Sequence, residues 1–143
     1  MLHPERARVL SLAAEWLGTP FHDNAGVKGV GCDCAHFLSG VFQEAGYAPD
    51  MVIEHYSPQF MLHSDEEKFA GYVLRYTREI AEPEVQPGDV VLYRIGRSYA
   101  HGAIIVDWPT RIIHAHKLSG SVVESHGFDA DLRARKTRFF SPW

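Results

Sequence analysis

Two cysteines stand one residue apart in the stretch GVGCDCAHFL, and the chain of 143 residues has no others. Apolar residues recur at helical spacing after Asp33, a residue type that caps helix N-termini. Cys34 would then lie in the first turn, where free N–H groups and the helix dipole stabilise a thiolate. We therefore expect a lowered pKa at Cys34 and take it as the candidate nucleophile. A cysteine on an apolar helix face is also often a small buried hydrophobe, so position alone does not establish catalysis.

A nucleophilic thiol needs a base, and histidine is the usual one. Of nine histidines, His101 differs from the rest because it begins an apolar strand in AHGAIIV. His114 lies in the next predicted strand, IIHAH, so the two rings can lie side by side. His116 has the same strand parity as His114, and parity does not choose between them. For any single histidine, an exposed or hydrogen-bonded structural side chain is the alternative.

Three helices are predicted in the first half of the chain. The first covers ERARVLSLAAEWLG and ends at Gly18, and the second runs from about Asp33 to Ala45 with Gly46 after it. The third opens at Ser64, where SDEE fits a capping box with Glu67. Apolar residues at helical spacing predict the buried faces of the first two helices: Val9, Leu12, Ala13, Trp16 and Leu17, then Cys34, Leu38, Val41, Phe42 and Ala45.

The second half of the chain has the period of strands. DVVLYRI, HGAIIVDW, RIIHAH, SVVES and TRFFS are short, rich in β-branched and aromatic residues, and separated by turn signals. Helices followed by a meander of strands predict an α+β fold, with N-terminal helices packed on a C-terminal antiparallel sheet. The length and the 45% hydrophobic content fit a single domain over residues 1–143.

Charge and composition exclude several functional classes. The net charge of −4 gives no footprint for nucleic acid. The sequence has no signal-peptide pattern and no apolar run long enough for a membrane span, so we expect synthesis in the cytoplasm and no membrane insertion. A disulfide between cysteines one residue apart would close a small, strained ring, and we expect Cys32 and Cys34 to be thiols.

Five motifs in order resemble those of the NlpC-type cell-wall cysteine peptidases, a circularly permuted relative of papain. The family carries W-x-G-T-P-Y, D-C-S-G-L-V, P-G-D-L-V-F-F, H-V-G-I-Y and I-H-A. This chain has WLGTPF, DCAHFL, QPGDVVLY, HGAIIV and IIHAH. The phage-encoded branch is the most similar, because GVGCDC and VVES are also present. The resemblance extends from about Val9 to Phe140.

The resemblance implies a papain-like fold and a Cys-His-His triad. Cys34 matches the nucleophile, His101 the general base, and His114 the residue that orients the base. The implied activity is hydrolysis of peptide bonds in peptidoglycan stem peptides, of the D-γ-glutamyl–diamino acid type, with no cofactor. The phage branch further implies association with a virion or phage-like tail, whose proteins would be partners, and action on the cell wall.

Three residues beside the implied triad are candidates for substrate binding or oxyanion stabilisation. Asp33 precedes the nucleophile, as it does in the family. Phe21 replaces the tyrosine of T-P-Y, which removes a hydroxyl from the active site. His36 replaces the small glycine that follows the nucleophile by two positions, where its ring could narrow the cleft or contact substrate.

Other functions compete with this hypothesis. Cys32, Cys34 and His36 form a C-x-C-x-H set that could bind zinc, with further ligands drawn from His101, His114, His116 and His126. A non-catalytic tail or wall-binding module could keep the fold without the activity. Acyl transfer would share the thioester step with hydrolysis. C-x-C-x-H is not a usual spacing for zinc ligands, and the complete set of Cys34, His101 and His114 argues against a non-catalytic module.

Overall fold

The computed structural model describes residues 2–56 and 68–143. Within these ranges there are three α-helices: α1 Pro4–Ala14, α2 Cys34–Glu44 and α3 Lys68–Tyr76. The strands are β1 Gly26–Val27, β2 Gly31–Cys32, β3 Arg78–Ile80, β4 Val90–Ile95, β5 Ser98–Asp107, β6 Arg111–His116, β7 Ser121–Ser125 and β8 Thr137–Ser141. Short 3-10 helices cover Glu82–Glu84 and Ala130–Leu132. No helix in the described ranges is long and apolar enough to cross a membrane.

The strands form an antiparallel sheet against which the helices pack. Its order is β3-β8-β4-β5-β6-β7, and β1 and β2 pair separately as a small hairpin. The predicted α+β class is therefore confirmed. The predicted meander holds for β4 to β7, but β8 returns to pair with β4 and β3 inside the sheet. The hairpin lies in a segment whose glycines predicted only a loop.

Helix α1 ends earlier than its apolar pattern predicts. His3 caps it by accepting a hydrogen bond from the Glu5 N–H, and Pro4 occupies the first turn. Val9, Leu12, Ala13 and Trp16 are buried, as expected. Leu17 was predicted to be buried with them, but it is 45% exposed. The helix stops at Ala14, so the turn before Gly18 (φ 84°) no longer keeps the helical phase.

Helix α2 has the boundaries that its capping residues predict. The Asp33 side chain accepts a hydrogen bond from the His36 N–H, and Gly46 adopts φ 90° just beyond the C-terminus. Its buried face consists of Phe37, Leu38, Ser39, Val41 and Phe42. The predicted start of the third helix at Ser64, with its capping box to Glu67, lies outside the described residues.

A glycine in β5 allows α2 to pack directly on the sheet. A Cβ atom at Gly102 would lie 2.7 Å from Leu38 Cδ1 and 2.9 Å from Leu92 Cδ2. Real Cβ atoms do not show such distances, so a larger residue here would force the Leu38 and Leu92 side chains to shift. This close approach places the N-terminus of α2 beside β5.

Gly102→Ala is expected to lower the free energy of unfolding by about 1–3 kcal/mol, because the added methyl overpacks the contact with Leu38. Urea titration of the purified protein measures the change. Gly71→Ala is the matched control, because nothing lies within 4 Å of a Cβ there. In helix α3 that change should stabilise the protein by about 0.5–1 kcal/mol. Equal stability of both variants would contradict this packing argument.

Candidate active site

Cys34 is the first residue of α2, and its side chain lies against β5. Its Sγ is 3.6 Å from the Ala100 carbonyl oxygen, and the residue as a whole is half-buried. Cys32 is fully buried behind it, and both cysteines are free thiols, as predicted.

His101 and His114 meet across two adjacent strands. His101 Nε2 lies 2.8 Å from His114 Nδ1, and the two rings pack edge to face. The other nitrogen of His114, Nε2, lies 2.9 Å from Ser125 Oγ on β7. His101 therefore keeps only Nδ1 for a reacting group, and His114 is held on both sides.

His116 lies on the same face of β6 but makes different bonds. Its ring stacks on His114 with centroids 4.8 Å apart, and its centroid is 6.1 Å from that of His101. Its nitrogens contact Ser119 Oγ and Asp131 Oδ1, each at 2.7 Å. Strand parity alone did not decide whether His114 or His116 is the partner of His101. The contact between His101 and His114 identifies His114 as that partner.

Cys34 and His101 both line one cleft, with a volume of about 390 Å³. Its wall combines apolar and charged side chains. They are Phe21, Ala35, Tyr56, Phe69, Ile95, Ala100 and Leu118, with Asp23, His116, Lys117, Asp131 and Arg135. A thiol and an imidazole that share an open cleft with polar and apolar walls can act on a peptide-like substrate.

Asp33, next to Cys34 in the chain, is the centre of a hydrogen-bond network. Its Oδ1 accepts hydrogen bonds from the backbone N–H and the ring of His36, each at 2.8 Å. Its Oδ2 accepts from the Tyr56 hydroxyl and from the Asn24 N–H. The Asn24 side chain in turn bonds both backbone groups of Tyr56. Burial alone would raise the pKa of Asp33, but the bonds from His36 and Tyr56 outweigh it and lower that pKa.

The two departures from the family motifs have different positions. Phe21 lines the cleft, so the cleft wall lacks the hydroxyl that the tyrosine of the family motif would provide there. His36 instead bonds Asp33 and packs on the hairpin, where a Cβ at Gly26 would lie 2.9 Å from its ring. Among the residues described around the cleft, Tyr56 has a hydroxyl, which donates its hydrogen bond to Asp33.

The expected low pKa of Cys34 is wrong for this structure. Desolvation and the neighbouring Asp33 carboxylate raise the pKa of the thiol to about 12. The backbone N–H groups of Gly102, Ala35 and Cys34 act in the opposite direction, but they are outweighed. The sequence could predict the helix N-terminus, but it could not predict how far the fold removes the sulfur from water.

The two bonded histidines are also held uncharged. Desolvation, with His116 as a further contributor, lowers the pKa of His101 to about 3. Desolvation, with His101 and His116 as like charges, lowers the pKa of His114 to about 2, while Asp131 acts in the opposite direction. At neutral pH the thiol of Cys34 and the imidazoles of His101 and His114 are therefore uncharged.

Burial of His114 predicts a loss of stability in acid. An unfolded histidine has a pKa near 6.5, so between that value and the folded pKa the unfolded chain binds more protons. The contribution is present above pH 6.5 and is lost as the pH falls. Between pH 6.5 and pH 5 the expected loss is about 2 kcal/mol from this group. Urea titrations at several pH values should show a flatter dependence for His114→Gln than for the wild type.

The exposed His55 provides the control for that measurement. His55→Gln also removes an imidazole, but from a solvated position, and should leave the pH dependence of unfolding close to that of the wild type. An unchanged dependence in His114→Gln would contradict the buried, neutral state of His114.

The zinc hypothesis finds no support in the geometry. Over residues 2–56 and 68–143, no group of three or more His, Cys, Asp or Glu side chains is arranged to hold a metal ion. Cys32 is fully buried, and the His36 ring is hydrogen-bonded to Asp33. The alternative C-x-C-x-H set is not assembled, because the helix begins between its two cysteines.

Sequence reasoning missed several residues that the fold brings to the site. Tyr56 and Asp131 come from segments without a regular pattern, and no local signal marks either one. Ser125 belongs to the VVES stretch, which was noted as a motif without a role. Each contacts a residue that the sequence did predict: Asp33, His116 and His114, respectively.

Comparison with solved structures identifies the fold. The peptidoglycan hydrolase RipB of Mycobacterium tuberculosis matches 96% of this chain and 64% of its own, with TM-score 0.67 and 16% identity. The NlpC/p60 domain of the peptidoglycan hydrolase SagA matches 93% of this chain and 96% of its own, with TM-score 0.64 and 17% identity. RipD of M. tuberculosis, a non-catalytic NlpC/p60 domain protein, matches 98% of both chains, with TM-score 0.61 and 12% identity.

This chain has the NlpC/p60 fold, which confirms the fold that the motifs implied. No protein-family model and no curated protein matches the sequence. The chain spans less than two thirds of the RipB structure, and about all of the SagA domain. The neighbours include both hydrolases and a non-catalytic protein, so the fold alone does not determine the activity of this chain.

Proposed function

We propose that this protein is a cysteine endopeptidase or amidase that hydrolyses peptide bonds in the stem peptides of bacterial peptidoglycan. The observation that carries the proposal is the shared cleft of Cys34 and His101, with His114 bonded to His101 at 2.8 Å. This arrangement supports the roles of nucleophile for Cys34, base for His101 and orienting group for His114. The likeness in fold to RipB and SagA supports the choice of substrate.

The proposed reaction begins with transfer of the Cys34 proton to Nδ1 of His101. The sulfur attacks the scissile carbonyl, and the Cys34 backbone N–H, at the start of α2, is a candidate donor to the oxyanion. His101 returns the proton to the leaving amine as the thioester forms. Water, deprotonated by His101, then hydrolyses the thioester and releases the acid and the free thiol.

The scissile bond proposed is the one between D-γ-glutamate and the diamino acid. Its support is the set of motifs shared with the NlpC-type peptidases. The test is incubation of synthetic L-Ala-γ-D-Glu-meso-diaminopimelate-D-Ala with the protein, followed by mass spectrometry. Release of diaminopimelate-D-Ala supports this bond, and cleavage only at another bond contradicts it.

A non-catalytic wall-binding function is the second candidate, and the likeness to RipD favours it. That protein is described as adapted to peptidoglycan binding. The two functions separate in one experiment with purified sacculi. Pelleting of the protein with sacculi without release of peptides would support the binding function, whereas release of peptides would support the peptidase.

The phage association is proposed from the GVGCDC and VVES motifs. A protein carried on a phage-like tail would reach the wall and thin it locally during penetration. Mass spectrometry of purified particles from a producing strain tests this. Detection of peptides from this chain in the particles supports the proposal. Their absence from particles in which the other tail proteins are detected contradicts it.

A further inference from the structure

His116 and Asp131 form a second pair next to the triad, and no motif assigns either residue a role. Asp131 Oδ1 lies 2.7 Å from His116 Nε2, and the His116 ring stacks on His114. His116 is only 8% exposed, and both residues line the cleft. The pair therefore extends the line of side chains from His101 through His114 to a carboxylate.

The loop that carries Asp131 is held in an unfavourable backbone conformation. Ala130 has φ 47° and Ala134 has φ 64°, and each costs about 1 kcal/mol relative to an ordinary conformation. Leu132, 1% exposed, anchors the loop in the core, and Arg135 Nε donates to the Asp131 carbonyl oxygen. Strain of this kind persists where the surrounding structure fixes a side chain in place.

The hydrogen bonds leave the negative charge on Asp131 available. A carboxylate only accepts, so His116 must carry its proton on Nε2. Its Nδ1 then accepts from the Ser119 hydroxyl, 2.7 Å away. With its proton on Nε2, His116 has a hydrogen-bond partner on each ring nitrogen. The carboxylate raises the pKa of His114, whose ring stacks on that of His116.

The reaction needs such a charge because Cys34, His101 and His114 are uncharged at rest. Proton transfer breaks the S–H bond of Cys34 and forms an N–H bond on His101, which leaves a negative sulfur and a positive imidazole. Neither ring nitrogen of His114 contacts a carboxylate, since its partners are His101 and Ser125. The other charged cleft residues nearby are Lys117, which pairs with Asp23, and Arg135.

We propose that Asp131, acting through His116, is the positioning carboxylate that stabilises the imidazolium of His101 when Cys34 loses its proton. The proposal rests on the proposed thiol chemistry of Cys34 and His101. In this role Asp131 does not contact the substrate. It lowers the energy of the charged state that precedes attack.

The test is the rate at which iodoacetamide alkylates Cys34 at neutral pH, because only the thiolate reacts and no peptide is required. Peptide mass spectrometry assigns the label to Cys34 rather than to the fully buried Cys32. Asp131→Asn keeps an acceptor for His116 and removes the charge, so the rate should fall about tenfold. Asp131→Glu keeps the negative charge and should retain most of the wild-type alkylation rate.

Asp129→Asn is the matched control, because it removes the same charge from the same loop and its side chain does not cap the turn. It should react at the wild-type rate. A wild-type rate in Asp131→Asn, or an equal loss in Asp129→Asn, would overturn the proposal. If Asp131→Asn fails to melt cooperatively, the smaller neutral variant Asp131→Ser replaces it and decides by the same rate. If the alkylation rates of the variants differ as expected but the wild type cleaves no peptide, the proposed peptidase function is contradicted and the role of Asp131 is supported.

Discussion

Replacement of Cys34 by alanine is expected to reduce the hydrolysis of stem peptides by at least about 1000-fold. The sulfur at the start of α2 lines the cleft and is the thiol that a substrate can reach, and alanine has no atom that could form the acyl intermediate. The remaining side chains could then only bind the substrate and polarise its carbonyl. Initial rates on a synthetic stem peptide, followed by chromatography of the products, give the ratio.

Cys32 provides the control for this variant. It is 0% exposed and lies two residues earlier in β2, so Cys32→Ala removes a thiol without touching the cleft wall. Its rate should stay within about threefold of the wild type, since the change only trims a buried side chain. A comparable loss in both variants would mean that the effect is structural. Full activity in Cys34→Ala would eliminate Cys34 as the nucleophile.

Replacement of His101 by glutamine is expected to lower kcat/KM by about 100- to 10,000-fold, the range for loss of a general base. The neutral thiol cannot attack without transferring its proton, because its pKa is raised by desolvation and by Asp33. Glutamine is similar in size and polar, but it cannot accept that proton. The exposed His126 is the control position, and His126→Gln should keep the wild-type kcat/KM.

The same histidine predicts an unusual pH dependence for the wild type. A base must be unprotonated, and desolvation lowers the pKa of His101 to about 3. Activity should therefore persist in mild acid, with kcat/KM nearly constant from about pH 7 to pH 5, where an unperturbed histidine would already be protonated. The protein must stay folded over this range, which circular dichroism checks. A decline centred near pH 6.5 would contradict the desolvated state of His101.

Much of the fold followed from local patterns in the sequence. Asp33 predicted the start of α2 because a capping side chain and an apolar stripe agree there, and Gly46 predicted its end. The strands of the second half were predicted by their β-branched residues. The position of β8 was not predicted, because pairing between distant strands leaves no trace in the period of either one.

The candidate site was predicted only in part, because local patterns reveal some of its residues and not others. Cys34, His101 and His114 lie in a helix and two strands, where the periodicity of the sequence predicts which face each side chain is on. The structure brings His101 and His114 into contact. Tyr56 and Asp131 reach the cleft from irregular segments, where the direction of a side chain depends on the whole fold. The protonation states also depend on it, because burial of the cleft decides them and outweighs the helix dipole at Cys34.

The central claim is that Cys34 cleaves peptidoglycan peptides, and product analysis of purified muropeptides by mass spectrometry tests it most directly. Wild-type protein and Cys34→Ala are incubated in parallel with the same muropeptides. We expect shortened peptides and a new amino terminus with the wild type, and intact muropeptides with Cys34→Ala. The same cleavage with both proteins, or none with folded wild-type protein, would contradict the account.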